Sequence, residues 1–238
     1  MLSPTIAAIL CLISAATAAP AATPSSTVLA ADDVIVLNVD GTSQVMKATE
    51  FDRLETRALA GAPFSVNPAN TAKLARRGCE ESTEVQITSD EEFLNWDVAI
   101  SPVLSSSGGT GTVAVTSGYS ISNTVSVSAS YDVTIIKDLL SSSLSVSYSE
   151  TWSTTESQTL SFTVPDNQNG VIVSQPYVRR VQGNILSGCT DSPDKEAFTS
   201  DTYTSQSYGN LAWVKGVIRL CSSEQYPIPY CIGTGEHS

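Results

Sequence analysis

The sequence predicts an all-β protein: an elongated antiparallel sheet carrying one long Ser/Thr-rich amphipathic hairpin, preceded by a small hairpin-plus-helix segment. Three observations carry this. Beyond residue 97, Val, Ile and Tyr alternate with Ser and Thr, and turn clusters SSSGGTG, PDNQNG and DSPD break the alternation, as in strands joined by tight turns. Every odd-numbered residue from Ser141 to Thr163 is Ser or Thr, which puts hydroxyls along one face of an extended ribbon. After residue 97 no stretch has the apolar spacing of a helix of ordinary length.

In chain order, MLSPTIAAILCLISAATAAP has an apolar run from Ile6 to Ile13, then small residues with Ala16-Thr17-Ala18 in the form of a signal peptidase site. Residues 1–18 are expected to direct export, although the n-region has no Lys or Arg; the product is expected to be extracellular. No later apolar run approaches the roughly 18–20 residues of a membrane helix. A dibasic pair, Arg76-Arg77, stands just before Gly78-Cys79. Arg76 and Arg77 are the expected processing residues, closing a pro-segment of residues 19–77. Within it, VIVLNVDGTSQVMK alternates around Asp40-Gly41, a two-residue hairpin signal, and ATEFDRLETRALA has the spacing of a short amphipathic helix. Two roles stay open: a folding aid or inhibitor that covers an edge of the mature domain, or a segment never removed. Charge marks the same boundary. The pro-segment balances Lys47, Arg53, Arg57, Lys73, Arg76 and Arg77 against six acidic residues, so the net charge of -12 belongs entirely to residues 78–238.

That mature part is long enough for one domain with one core. It opens with strand-like STEVQIT, after which Ser89-Asp90-Glu91-Glu92 has the form of a capping box before a short apolar turn, FLNW. Trp96 and Trp213 are expected in the core. Cys11 leaves with the signal; Cys79, Cys189, Cys221 and Cys231 remain, an even set that predicts two disulfides in an exported chain. Three pairings are open, and the short loop holding Pro227 and Pro229 favours Cys221 with Cys231, and Cys79 with Cys189. No Asn-x-Ser/Thr sequon occurs.

Residues 119–163 make the expected hairpin. On its first arm Tyr119, Ile121, Val125, Val127, Ala129, Tyr131, Val133 and Ile135 hold odd positions, with Ser126, Ser128 and Ser130 between them. On its second arm Leu144, Val146, Tyr148, Trp152, Leu160, Phe162 and Val164 hold even positions, opposed by Ser145, Ser147 and Ser149. The arms meet at IIKDLLSSS, where Ile135, Ile136, Leu139 and Leu140 surround Lys137-Asp138. A straight strand from Leu144 to Val164 would extend roughly 65–70 Å, several times the usual length; it bends and breaks, or the molecule is elongated. No cation occurs from Gly78 to Ile136, nor between Lys137 and Arg179. A transmembrane β-hairpin needs about 9–11 residues per strand, apolar toward lipid and polar toward the lumen. Val125–Ile135 and Leu144–Trp152 meet that demand, with Tyr131, Tyr148 and Trp152 as interface aromatics and Glu150 at the edge of the apolar face. One hairpin per chain closes a barrel only by oligomerising, since an open edge leaves backbone groups unsatisfied in lipid.

The arm SLSVSYSETWSTTESQTLSFTVP, followed by a turn and GVIVSQPYVRRVQGNI, resembles the pore-forming module of the aerolysin-like β-pore-forming toxins, the epsilon-toxin and mosquitocidal-toxin branch, over residues 110–185. Over most of the chain, with GCEESTEVQITSDEEFLNWDVAISPV and VSQPYVRRVQG as the marked pieces, the sequence is similar to small secreted effector-like proteins of plant-associated ascomycete fungi. The toxin resemblance implies an elongated aerolysin-like β-fold, a monomer when secreted, binding to a membrane or membrane receptor, a homo-oligomer when active, and insertion of the 119–163 hairpin. The chain departs from that family in having no separate receptor-binding lobe and in placing its cut site ahead of the domain.

Two other readings share the pattern. Low-charge Ser/Thr strands are also the surface of an ordinary exported β-sandwich. An acidic β-domain with tyrosines in SDTYTSQSYGN and EQYPIPY also suits a module that binds a cell-wall glycan or a host protein. Catalysis is not expected, and no catalytic residue, metal or cofactor is assigned. The one histidine, His237, is next to the last residue, in a tail expected to be mobile and so unable to orient a serine or ligate zinc. Oxidised cysteines are not nucleophiles. Glu150 and Glu156 on one extended strand would stand about 20 Å apart, against roughly 5–9.5 Å in glycosidases. SSSGGTG precedes a strand rather than a helix, which argues against a phosphate cradle. Glu80, Glu81, Glu84 and Asp90 to Glu92 lack the alternate-residue spacing of a calcium loop and read as a solvated face. The acidity of residues 78–238 excludes nucleic acid as a partner.

Overall fold

The computed structural model describes residues 27–38, 40–59, 81–127, 132–155, 157–189 and 193–238. The signal segment, Arg76, Arg77, Cys79, Ser128, Ser130 and Tyr131 lie outside them. The N-terminal unit comprises β1 (Thr27–Leu29), β2 (Asp33–Leu37), β3 (Ser43–Lys47) and α1 (Ala48–Leu59). There follow β4 (Glu81–Leu94), β5 (Val98–Ala99), β6 (Leu104–Ser105), β7 (Gly111–Val115), β8 (Ser120–Ser122) and β9 (Thr124–Val127). The second helix, α2 (Val133–Leu144), separates these from β10 (Thr151–Ser153), β11 (Ser157–Val164), β12 (Asn169–Cys189) and β13 (Asp194–Thr202). The chain ends with β14 (Ser205–Tyr208), β15 (Leu211–Val214), β16 (Gly216–Ser223), β17 (Ile228–Pro229) and β18 (Glu236–His237). The protein is all-β with a large antiparallel sheet, and the two helices among the described residues lie against it.

β12 is the spine. Its 21 residues extend roughly 65–70 Å at about 3.3 Å per residue, so the long strand is here and not at 144–164, which bends and breaks. Its first half pairs with β16, from Asn169↔Ser223 to Pro176↔Gly216, and β16 pairs with β2. Its second half lies between β4 and β13. Apolar residues at successive positions of VIV explain the first half: Ile172 enters the main core while Val171 and Val173 face the opposite side, as required of a strand covered on both faces.

Around that first half the body is a sandwich. A three-stranded sheet, β1-β11-β7, shares one core with the β2-β16-β12 sheet, in which Leu29, Ile35, Val113, Phe162, Ile172 and Ile218 are buried. Trp213 is 1% exposed and donates to Ser174 Oγ at 2.9 Å, as expected of a core tryptophan. Trp96 differs from expectation: it is 55% exposed, just after β4 and beside Gly233.

β4 runs unbroken through Ser89-Asp90-Glu91-Glu92, so no helix starts there. The reason is tertiary. β12 sets Arg179 opposite Glu92 and Arg180 opposite Glu91, and Arg179 grips Asp90 through Nε–Oδ1 at 2.8 Å and Nη2–Oδ2 at 2.6 Å. The arginine hydrogen bond holds the Asp90 carboxyl below its ordinary pKa. Arg180 makes the same fork to Asp201 on β13, at 2.7 and 2.6 Å, and its guanidinium lies 5.2 Å from the Phe93 ring centroid. Cross-strand charge pairing thus turns an acidic run into strand.

The N-terminal hairpin and helix form as expected, with one change. The turn falls at Asp40-Gly41, with Gly41 at φ 85°, but the strands close at Leu37↔Ser43, so the loop is five residues long rather than two. This unit is not a separate lobe: β2 is a sheet strand with Val34, Ile35 and Leu37 at most 1% exposed, and α1 buries Phe51 against Val34 and Val217.

Candidate functional site

Residues 119–127 and 132–153 leave the sandwich, cover the outer half of β12 and return. Their root is the two-stranded ladder β8–β10, with Ile121 opposite Trp152. From it β9 adds to the edge of β13, Val127 opposite Phe198 and Val125 opposite Ser200. The expected tip, IIKDLLSSS, is not a turn between two long arms but part of α2. Asp132 caps that helix, its Oδ1 accepting from the Thr134 N–H at 2.8 Å. Ser145, at φ 54°, ends it, its N–H bonded to Ser141 O. Ile136, Leu140 and Leu144, four residues apart, form the buried stripe. That spacing and the Asp132 cap were readable in the sequence, but the two-residue alternation running into Ile135 masked them.

The alternation still determines what faces inward. Ile136, Leu140, Leu144 and Tyr148 pack on Val181, Ile185 and Phe198, with Val125, Val127 and Val146 partly buried against them. Leu139 and Trp152 are half-buried, and Val133 is exposed at the start of α2; Ile135 falls within α2. Ser126, Ser145, Ser147 and Ser149 are exposed, and Ser147 and Ser149 share a 3.0 Å hydroxyl contact. Val133 apart, the described side chains of the predicted apolar face are therefore turned at least partly onto the body, and those of the predicted hydroxyl face onto solvent. Tyr148 fastens the segment by a 2.7 Å hydrogen bond between its hydroxyl and that of fully buried Ser200; burial raises its pKa. Asn123, also buried, donates to Ser147 O at 2.7 Å and accepts from the Tyr203 N–H at 2.8 Å.

Where this flap meets the body there is a cleft of about 440 Å³. The flap contributes Asn123, Ser145, Ser147 and Glu150, and the body contributes Glu92, Tyr177, Arg179, Thr202 and Tyr203. Lys215 pairs with Glu92 at 2.5 Å and lies 4.8 Å from the Tyr177 ring centroid. Trp152 Nε1 donates to Ser205 Oγ at 3.0 Å beside it. The lining is mostly polar, with carboxylates, a guanidinium and hydroxyls, and Val146 among its apolar members.

Two further sequence expectations meet the structure here. Cys221 and Cys231 form a disulfide with Cα atoms 5.8 Å apart, in keeping with an oxidising compartment; Cys189 is also disulfide-bonded. His237 is not in a mobile tail. It is 7% exposed in β18, paired with Ile228 of β17, and the disulfide together with backbone bonds to Asp97 fastens this end of the chain. The closely spaced Cys221, Cys231, Pro227 and Pro229 were the readable sign of that strap. Among the described residues no helix is long and apolar enough to cross a membrane. The chain matches no protein-family model and no curated protein.

Proposed function

We propose that this protein is a secreted, toxin-like effector that binds membranes and perforates them by oligomerising and inserting residues 119–163 as a β-hairpin. The observation that supports it most directly is the conflict between what α2 is made of and what it is. Seven of its twelve residues are Val, Thr, Ile or Ser, each up to about 0.7 kcal/mol poorer in a helix than Ala. Apart from the Asp132 cap it has neither an acidic residue in its first turn nor a basic one in its last, so its C-terminal end gains no complementary charge. Its stability comes from the apolar contacts under it, and such local conflict is expected where a segment must change structure. Released, the flanking arms, residues 125–135 and 144–152, alternate with a period of two around a tip made from the rest of α2, and a membrane core would take up Val125, Val127, Val146 and Tyr148 in place of the body. Open edges are satisfied only between copies, hence a monomer when secreted and a homo-oligomer when active.

A lock tests this. Ser126 and Thr199 are directly opposed on β9 and β13, within the about 4.5–5.5 Å Cβ separation of antiparallel neighbours. The double variant Ser126→Cys/Thr199→Cys, oxidised, is expected to stop dye release from vesicles of varied lipid composition, sterol-containing ones included, and to recover release on reduction. Equal release from the locked form, or no vesicle binding by the unlocked chain, sinks the proposal.

A second reading, a module for a cell-wall glycan or host protein, rests on the polar cleft, whose volume falls in the roughly 300–1,000 Å³ span of ligand pockets. It gains if soluble oligosaccharides bind while vesicles do not.

A further inference from the structure

The buried cluster beside the C-terminal strap has a chemistry that the membrane reading does not use. Asp97 is 5% exposed and accepts from Gln175 Nε2 at 2.7 Å, from the Cys231 N–H at 2.5 Å and from the Ile232 N–H at 3.3 Å. Its Oδ2 also stands 3.2 Å from Cys221 Sγ, but a disulfide sulfur has no proton to donate. On the other side His237 Nε2 lies 3.5 Å from the same oxygen, buried and without a hydrogen-bond partner. An orphaned imidazole nitrogen therefore lies beside a carboxylate oxygen, and that carboxylate in turn lies beside the two sulfurs. The Asp97, Cys221 and Cys231 ligand atoms all lie within 4.8 Å of one another.

We propose that, once the Cys221–Cys231 disulfide is reduced, Cys221, Cys231, Asp97 and His237 hold a divalent cation of the zinc class. Ligands of a tetrahedral zinc site, at about 2.0–2.3 Å from the metal, stand roughly 3.3–3.8 Å from one another. The carboxylate-to-imidazole distance of 3.5 Å already fits that spacing, and the carboxylate-to-Cys221 distance of 3.2 Å is close to it. Breaking the sulfur–sulfur bond frees the two sulfurs to separate to it. The reductant is a thiol. Two thiols each lose a hydrogen and join as a new disulfide, the protein disulfide gains both electrons and both protons, and the two thiol protons leave when the metal binds. Cys231 is exposed, which gives the thiol its point of attack. The Gln175 and backbone donors already on Asp97 would orient it as a ligand.

The consequence is a staple that survives a change of compartment. Outside the cell the disulfide holds residues 221–231 closed. In a thiol-rich interior, where disulfides are lost, the cation would hold the same strap. The inference is independent of membrane insertion and fails or stands separately from it.

Cobalt(II) is the probe. Full-length protein is reduced with a phosphine and titrated with cobalt(II) under anaerobic conditions, then with zinc(II) in competition. One cobalt per chain with thiolate charge-transfer absorption and tetrahedral d–d bands is expected, and none in the oxidised protein. His237→Gln, checked for folding by circular dichroism, should weaken binding by at least the roughly 10–100-fold that even an outer-shell change costs. Zinc should restore to the reduced chain the protease resistance of residues 224–238. No tetrahedral cobalt spectrum in the reduced chain overturns the proposal, as does cobalt binding by folded His237→Gln as tight as in the parent, or a thiolate band that persists in Cys221→Ser/Cys231→Ser.

Discussion

At the residue scale, Tyr148 shows how a polar contact can hold an apolar flap. Its ring is in the cluster under α2 and its hydroxyl meets that of Ser200, which is fully buried. Tyr148→Phe leaves the Ser200 hydroxyl without this partner, and the cost is expected to be about 1–3 kcal/mol, read by urea denaturation. Burial also raises the Tyr148 pKa above its ordinary 10.0, so the folded phenol holds its proton where the unfolded one loses it. That contribution is complete below pH 10.0 and lost as pH rises through the raised value. Protection of the amides over residues 132–150, taken relative to their intrinsic base-catalysed exchange, should therefore fall above pH 10.0 in the parent. The same alkaline loss of protection in Tyr148→Phe would remove Tyr148 as its cause. The sequence placed Tyr148 on the apolar side of its ribbon. It gave no sign of Ser200, 52 residues away, because a hydroxyl partner carries no pattern.

At the element scale, α2 marks where sequence pattern and local structure part. Alternation predicts strand through Ile135 and from Leu144, and the structure keeps the sidedness but not the strand. A stripe of Ile136, Leu140 and Leu144 on Val181, Ile185 and Phe198 outweighs poor helix propensity, since tertiary burial provides most helical stability in proteins. Leu140 is fully buried and Ser142 exposed. Leu140→Ala should cost about 2–5 kcal/mol and raise protease access to the flap, whereas Ser142→Ala should stay within about 0.5 kcal/mol. Similar stability for the two variants would mean that α2 is not held by its buried stripe. β4 is the converse case, where an acidic run with the form of a helix start becomes strand because Arg179, Arg180 and β12 are opposite it.

At the scale of the whole molecule, the N-terminal unit is structurally part of the body. β2 covers the edge of β16, from Leu37↔Gly216 to Val34↔Arg219, β1 adds parallel to β11, and Ile35 and Leu37 share the main core with Trp213 and Ile218. If a protease cuts after Arg77, the fragment bearing residues 27–59 should stay bound, giving a two-piece molecule that co-elutes on native gel filtration and separates only in denaturant. Separation under native conditions would show that the strand is a removable cover instead. The sequence by itself determined the all-β class and the N-terminal hairpin and helix, favoured the Cys221–Cys231 pair among three open pairings, and marked one apolar side on each arm of residues 119–153, because periodicity, turn residues and cysteine spacing are local signals. Only the tertiary structure decided that the long strand is β12, that IIKDLLSSS is helical, that Trp96 is exposed and that His237 is buried beside Asp97. Those outcomes depend on partners far away in sequence, and the free energy of burying one surface against another is not written in either segment alone.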